Sequence, residues 1–274
     1  MKASFLKVLS ELQSRDLTPL KIRAVFIDGK RFGTLGVVVA LGVAEDGKKY
    51  TLGIYQANTE NGASCLALLS DLERRGLPKR GVLFVVDGGS GLNSALEQKY
   101  AVHDENQRTA VRIRCYCHKW RNLEDILGKD SPAALEASAL FWAMRDAKDL
   151  TEAKALAVSL ERILKKANIS ALRSFQEAKP DLLVIHCLGL SARLKRFFST
   201  TNPIESLNSL LEEDLRRVKR WRDSEHFQRW LATAALKSEK RMHRVRGFAG
   251  LKVLPAAISR LCVKSMIDLN RKAA

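Results

Sequence analysis

Val25-Phe26-Ile27-Asp28-Gly29-Lys30 decides how this chain is read: an apolar, β-prone run meets a carboxylate and then a glycine. Short apolar runs that stop at turn residues read as buried strands. Val85-Val86-Asp87-Gly88 repeats the pattern, so two aspartates are expected at the ends of two strands. Each has a plainer reading when taken alone. Asp28-Gly29 can be a turn, and Asp87 before Gly88-Gly89 can cap the helix that follows.

Outward from Asp28, Gly36 to Val43 and Tyr50 to Tyr55 read as further strands, with the hairpin signal Asp46-Gly47 between them. The stretch from Gly29 to Gly33 is short enough for another hairpin. Residues 5–15 fit a short helix, broken by Leu17-Thr18-Pro19. Gly62 to Arg75 fits a helix with Leu66, Leu69 and Leu72 on one face, stopped by Gly76 and Pro78. Val82 to Val86 is a fourth strand, Gly91 to Tyr100 a helix and Val111 to Tyr116 a fifth strand. The order β-β-β-α-β-α-β, three antiparallel strands and then helix-linked parallel ones, is that of an RNase H-like sheet. The expected fold is therefore α/β, a mixed sheet flanked by helices, with Asp28 and Asp87 on neighbouring strands.

From about Asn122 to Lys195 strand signals become scarce. Segments 131–146, 151–167 and 170–178 have helical spacing and are rich in Ala, Leu, Glu and Lys. This predicts an all-helical insertion over 122–198, between a first core part (20–121) and a second (199–245), with a basic tail over 246–274. In Thr200-Thr201-Asn202-Pro203-Ile204-Glu205, the spacing makes Asn202 an N-cap, Pro203 N1 and Glu205 N3, so Glu205 can close a capping box. That helix is expected to run to about Arg220, with another over 224–243. Leu207, Leu210, Leu211 and Leu215 share one of its faces, and Glu205, Asn208 and Glu212 another. A polar stripe on an otherwise buried helix is costly without ligands. Two strand aspartates and one helix glutamate supply the oxygen donors that a pair of Mg²⁺ or Mn²⁺ ions needs for phosphodiester chemistry.

The charge balance agrees with a polyanionic partner. Lys and Arg number 47 against 30 Asp and Glu, a net +17, and neutralised phosphates release counterions. Arg112, Arg114, Lys119, Arg121, Arg216, Arg217, Lys219, Arg220 and Arg222, with Trp120 and Trp221 interleaved, suit backbone contacts to double-stranded DNA, although a solvated charged face would look similar, and Asn208 is expected among the DNA contacts. Five cysteines do not suggest a disulfide scaffold. Neither a signal peptide nor a membrane-length apolar run is seen, so a cytoplasmic, nucleoid-associated protein is expected. Cys115-Tyr116-Cys117-His118 offers half a zinc site at most; Cys187 and His186 are too far along the chain to complete it by inference. The reading preferred is that His118 meets the scissile phosphate or a metal-bound water.

Taken together, several motifs resemble the Mutator-type bacterial insertion-sequence transposases over roughly residues 20–245. They are Phe26-Ile27-Asp28-Gly29-Lys30, Leu52-Gly53 followed by Glu60-Asn61, the Glu-Arg-Arg-Gly between Leu72 and Leu77, Asp87-Gly88-Gly89-Ser90-Gly91-Leu92, Arg114-Cys115-Tyr116-Cys117-His118-Lys119, Thr200-Thr201-Asn202-Pro203-Ile204-Glu205-Ser206-Leu207-Asn208 and Arg220-Trp221-Arg222. The resemblance implies a DDE domain with a helical insertion, with Asp28, Asp87 and Glu205 as the metal-binding triad, and Cys115 and His118 as the family's Cys-X-X-His signature. It also implies cleavage and strand transfer at transposon ends and target DNA by a homodimer or higher oligomer. Family members carry a longer N-terminal region that binds terminal repeats, and Asp28 falls too early here to leave room for it. Two other readings of the residues stand beside this one: an RNase H-like nuclease or resolvase, and a truncated DNA-binding remnant without catalysis.

Overall fold

The computed structural model describes residues 2–56, 62–104 and 107–261, apart from the side chains of residues 2–7. Glu60-Asn61 and the end of the basic tail, 262–274, lie outside the described residues. In chain order the elements are α1 (Lys2–Ser14), β1 (Ile22–Phe32), β2 (Leu35–Ala44), β3 (Lys49–Gln56), α2 (Gly62–Arg74), β4 (Leu83–Val86), α3 (Ser90–Tyr100) and β5 (Val111–Arg114). The helical run follows: α4 (Tyr116–Leu127), α5 (Pro132–Asp146), α6 (Leu150–Ala167), α7 (Ile169–Leu183) and α8 (Ala192–Phe198). α9 (Asn202–Leu215) and α10 (Ser224–Arg241) return to the sheet.

The five strands lie in the order β3-β2-β1-β4-β5. β1 pairs antiparallel with β2 and parallel with β4, and β4 pairs parallel with β5. This is the RNase H-like sheet, with β1 at its centre. Both faces are covered. Phe26, Val39, Val85 and Ile113 share one core with Ile204, Leu207 and Leu211 of α9 and Phe227 of α10. Val25, Ile27, Phe84 and Val86 share the other with Leu68, Leu69 and Leu72 of α2 and Leu92 and Leu96 of α3. A strand covered on both faces reads as an unbroken apolar run rather than an alternating one, which is why Gly36 to Ala44 is buried throughout.

A third core belongs to the insertion. Tyr116, Phe141, Leu160 and Phe175 draw α4 to α7 around themselves. Caps fix where these helices begin: Ser131 accepts from the Ala134 N–H, Asp149 from Glu152 and Asn168 from Ser170 and Ala171. Two buried charges tie the insertion to the sheet. Arg112 on β5 donates to Asp181 on α7 through Nε at 2.9 Å and Nη2 at 2.6 Å, and His103 Nε2 lies 2.9 Å from the same carboxylate.

Three expected boundaries differ. β1 does not stop at Gly29; Gly29-Lys30-Arg31-Phe32 keep pairing with Val38 to Leu35, and the reversal falls at Gly33-Thr34. Asp28 is thus inside a strand rather than at its end, because β2 offers partners on both sides of it. β5 stops at Arg114, since Cys115 begins a helix instead of extending a strand. α9 stops at Leu215 rather than near Arg220. A cluster of four like-charged side chains over 216–220 gains nothing from continuing a helix.

Candidate active site

Strand register assembles the first half of the site. Ile27 of β1 pairs with Val86 of β4, so the next residues, Asp28 and Asp87, come side by side. Val86 also pairs with Arg114, which places Cys115 third in the row; its backbone N–H donates to the Val86 carbonyl at 2.8 Å. Alternation along a strand turns Asp28 to the same face as Phe26, the face that α9 covers.

α9 supplies the second half. Glu205 and Asn208 are three residues apart and so share a face of that helix. Asn208 is buried, and its Nδ2 donates to Asp28 Oδ2 at 2.8 Å. This differs from the expected role of Asn208 as a DNA contact: the strand carboxylate takes up its amide. Its Oδ1 is buried without a partner. Lys30, two residues along β1, pairs with Glu212 at 2.9 Å and closes the far side.

Glu205 does not close a capping box. The N-cap is Thr201, whose hydroxyl makes no capping bond to the helix backbone. That hydroxyl instead lies 2.9 Å from Glu205 Oε1, 3.2 Å from His118 Nδ1 and 3.3 Å from Cys115 Sγ. A hydroxyl has one proton and two lone pairs. When Thr201 donates to the Glu205 carboxylate it accepts from His118 Nδ1–H, and His118 Nε2 is left bare, 4.0 Å from Glu205 Oε1. The Tyr116 N–H, donating to the Ser199 carbonyl at 2.8 Å, holds the start of α4 against this loop.

The electrostatics are those of crowded acids. Burial pushes the Asp28 carboxyl up to about 6, the neighbouring Asp87 and Glu205 add to the rise, and His118 and Lys30 oppose it. For Cys115, burial raises the thiol, but hydrogen bonds from His118 and Thr201 outweigh it and the net shift is downward. His118 is raised, chiefly by its bond to Cys115, against the opposing effect of burial.

The donor chemistry suits hard divalent cations: carboxylate oxygens from β1, β4 and α9 set near one buried acid that resists ionising. Among the described residues no three Asp, Glu, His or Cys side chains converge on one point closely enough to hold an ion by themselves. Mg²⁺ does not require that. It is commonly held by one or two carboxylates, with waters and substrate phosphates filling the rest. Cys115 and His118 bond each other and both meet the Thr201 hydroxyl, and His186 faces Lys195 at 3.4 Å.

The basic residues divide. Arg121, Arg216, Arg217, Lys219, Arg220 and Arg222 are exposed. Arg114 and Lys119, expected to face DNA, are instead buried, and their charged ends turn to Glu177 of α7 at 3.1 and 3.3 Å. Arg112 is taken up by Asp181, and Trp120 packs on Phe141 in the insertion core. Thr201, Glu177 and Asp181 were not anticipated from the sequence. Only Thr201 carried a signal, as a hydroxyl residue just before Asn-Pro.

Residues 9–243 match the family described as "Transposase, Mutator family". The transposase for insertion sequence element IST2 of Acidithiobacillus ferrooxidans is 28% identical over 67% of this chain and 58% of its own length. That of IS905 from Lactococcus lactis is 27% identical over 80% of this chain and 56% of its own. That of IS6120 from Mycolicibacterium smegmatis is 28% identical over 70% and 58%. The chain thus spans a little over half the length of these relatives. Among solved structures, a Drosophila P element transposase strand transfer complex aligns over 92% of this chain and 76% of its own, at 13% identity and a TM-score of 0.29, too weak a likeness to bear on fold or function. No helix among the described residues is long and apolar enough to cross a membrane.

Proposed function

The chain belongs to the Mutator family of transposases, and on that premise we propose that it cuts DNA strands and joins the freed 3′ ends to a target, using Asp28, Asp87 and Glu205 to hold two divalent cations. The observation that carries this reading is the placing of Asp28: strand register sets it beside Asp87 of β4, and the Asn208 bond ties it to α9, which bears Glu205; burial and the two acids push its carboxyl up to about 6. Crowding three acids destabilises the metal-free chain, and cations relieve that repulsion. Bound Mg²⁺ or Mn²⁺ would supply Lewis-acid activation of the attacking oxygen and stabilise the leaving one.

The chain's own residues do the rest. Asn208 engages Asp28 Oδ2 and so leaves Oδ1 free for a ligand. Thr201 orients Glu205 and sets the His118 tautomer. His118 Nε2, bare and beside Glu205, is placed to take a proton from an attacking water or 3′-hydroxyl. Arg121 and the exposed run Arg216, Arg217, Lys219, Arg220 and Arg222 bind the phosphate backbone. Joining two element ends calls for two such sites, hence a homodimer or higher oligomer on DNA.

The test is nicking of supercoiled plasmid in Mn²⁺ by the purified chain, beside Asp28→Asn, Asp87→Asn and Glu205→Gln. Loss of nicking in all three folded variants supports the reading; persistence in any of them contradicts it. A second assay with pre-cut 3′ ends separates joining from plain hydrolysis, which is all that a nuclease of the same fold would perform.

A further inference from the structure

Two cations beside the carboxylate site share a single acid, and that acid is the most exposed of the three. The Arg114 and Lys119 side chains are 7% and 3% exposed, whereas Glu177 is 53% exposed. Arg114 Nη1 donates to Glu177 Oε1 at 3.1 Å and Lys119 Nζ to Oε2 at 3.3 Å. Lys119 has one further partner, the neutral hydroxyl of Ser174 at 3.0 Å, and Arg114 Nε is buried with none. Two cationic groups thus share one carboxylate in nearly dry surroundings, which is costly, and burial together with the Arg114 charge lowers the pKa of the Lys119 ammonium.

A structural ion pair in this protein looks different. Arg112 and Asp181 are 3% and 4% exposed and match one charge with one. That pair already fastens α7 to β5. The position of the unbalanced cluster is also particular. Gly88 has φ +104°, and a Cβ there would fall 1.7 Å from Arg114 Cζ. Only glycine lets the guanidinium lie against the backbone next to Asp87. The excess positive charge thus borders the place where a strand to be cut would lie.

We propose that Glu177 is a displaceable stand-in for phosphate: a backbone phosphodiester of the bound DNA strand takes its place against Arg114 and Lys119, while Glu177 turns out to solvent. The inference rests on the DNA-binding part of the proposed function and not on its metal chemistry. It adds an anion subsite at the α4–α7 junction, closed by a carboxylate in the free chain.

Binding of a short DNA duplex, measured in EDTA across a salt series, tests it with Glu177→Gln. Gln keeps an acceptor oxygen for Arg114, so the fold is retained. Glu136→Gln on α5, exposed and far along the insertion, removes the same charge as a control. Glu177→Gln is expected to bind at least about threefold tighter than the wild type, with a salt slope steeper by about one counterion; Glu136→Gln should change affinity by much less. Adding Lys119→Met to Glu177→Gln should abolish the gain. Equal effects of the two glutamine variants, or a gain that survives Lys119→Met, would overturn the proposal. Should no variant bind duplex, inorganic phosphate decides the anion subsite: it must raise the melting temperature of Glu177→Gln more than that of Glu136→Gln, and equal shifts refute it. Because no metal is present, failure of the two-metal reading leaves this outcome readable.

Discussion

Asn208 on α9 donates to Asp28 on β1 at 2.8 Å, across 180 residues of sequence. The bond joins the helix bearing Glu205 to the strand bearing Asp28, and it selects which oxygen of Asp28 stays free. Groups that orient a ligand in this way typically change metal affinity or activity 10–100-fold when removed, an order-of-magnitude guide. Asn208→Ala is therefore expected to raise the Mn²⁺ concentration for half-maximal nicking by about tenfold or more, with less effect on the saturated rate. A metal titration of nicking checks it; an unchanged half-saturation point would show that the bond has no role in ion binding.

Thr201 makes a separate prediction. Thr201→Ser keeps the hydroxyl and should keep most activity. Thr201→Val keeps the shape but frees Glu205 and His118 at once, and loss of one such hydrogen bond to a charged group is worth roughly 1.5–3 kcal/mol. The expected result is a fall in nicking of about tenfold or more for Val only. Comparable losses in both variants would assign Thr201 to packing alone.

The crowded acids make stability depend on pH. The Asp28 carboxyl is raised from 3.8 to about 6 in the folded chain, so between those values the folded state holds more protons than the unfolded one. Stability from this group is then present at low pH and is lost as pH rises through about 6. A shift of that size corresponds to on the order of 3 kcal/mol. In EDTA at pH 7, Asp28→Asn, which can still accept from Asn208, should be more stable to urea than the wild type, and the difference should shrink towards pH 4. An Asn variant less stable than the wild type at pH 7 would contradict the crowding account.

Much of the fold was legible along the chain. The strand order followed from apolar runs and the Asp46-Gly47 turn, and helices α5 to α7 from the change to helical spacing after Asn122. What failed was decided by partners distant in sequence. Gly29 and Lys30 resemble a strand end until β2 is seen pairing beyond Asp28. Arg114 and Lys119 resemble open DNA contacts until Glu177, from 63 and 58 residues away, is seen covering them in the free chain. Glu205 has the spacing of a capping box, but Thr201 occupies the cap position and takes its carboxylate sideways. Asp28, Asp87 and Glu205 stood out along the chain because an acid that closes an apolar run or opens a helix leaves a local mark; the residues that contact them, such as Thr201, leave almost none.

The buried pair Arg112–Asp181 gives a prediction about the insertion. Removing one partner of a buried ion pair leaves an uncompensated charge and typically costs about 3–5 kcal/mol. Asp181→Ala should lower unfolding free energy by about that amount in urea denaturation and loosen α7 from β5, read as faster amide exchange in both. A loss under about 1 kcal/mol would mean that His103 and solvent satisfy Arg112 without the carboxylate.

The central claim is that Asp28, Asp87 and Glu205 ligate the cations. The most direct measurement is plasmid nicking by Asp28→Cys, Asp87→Cys and Glu205→Cys, each assayed in Mg²⁺ and in Mn²⁺. A thiolate is a poor ligand for Mg²⁺ and a better one for the softer Mn²⁺. The account predicts that all three lose nicking in Mg²⁺ and that Mn²⁺ restores part of it. Nicking in Mg²⁺ that survives any of the three folded variants, or loss that Mn²⁺ restores in none of them while the wild type cuts in both metals, would contradict it.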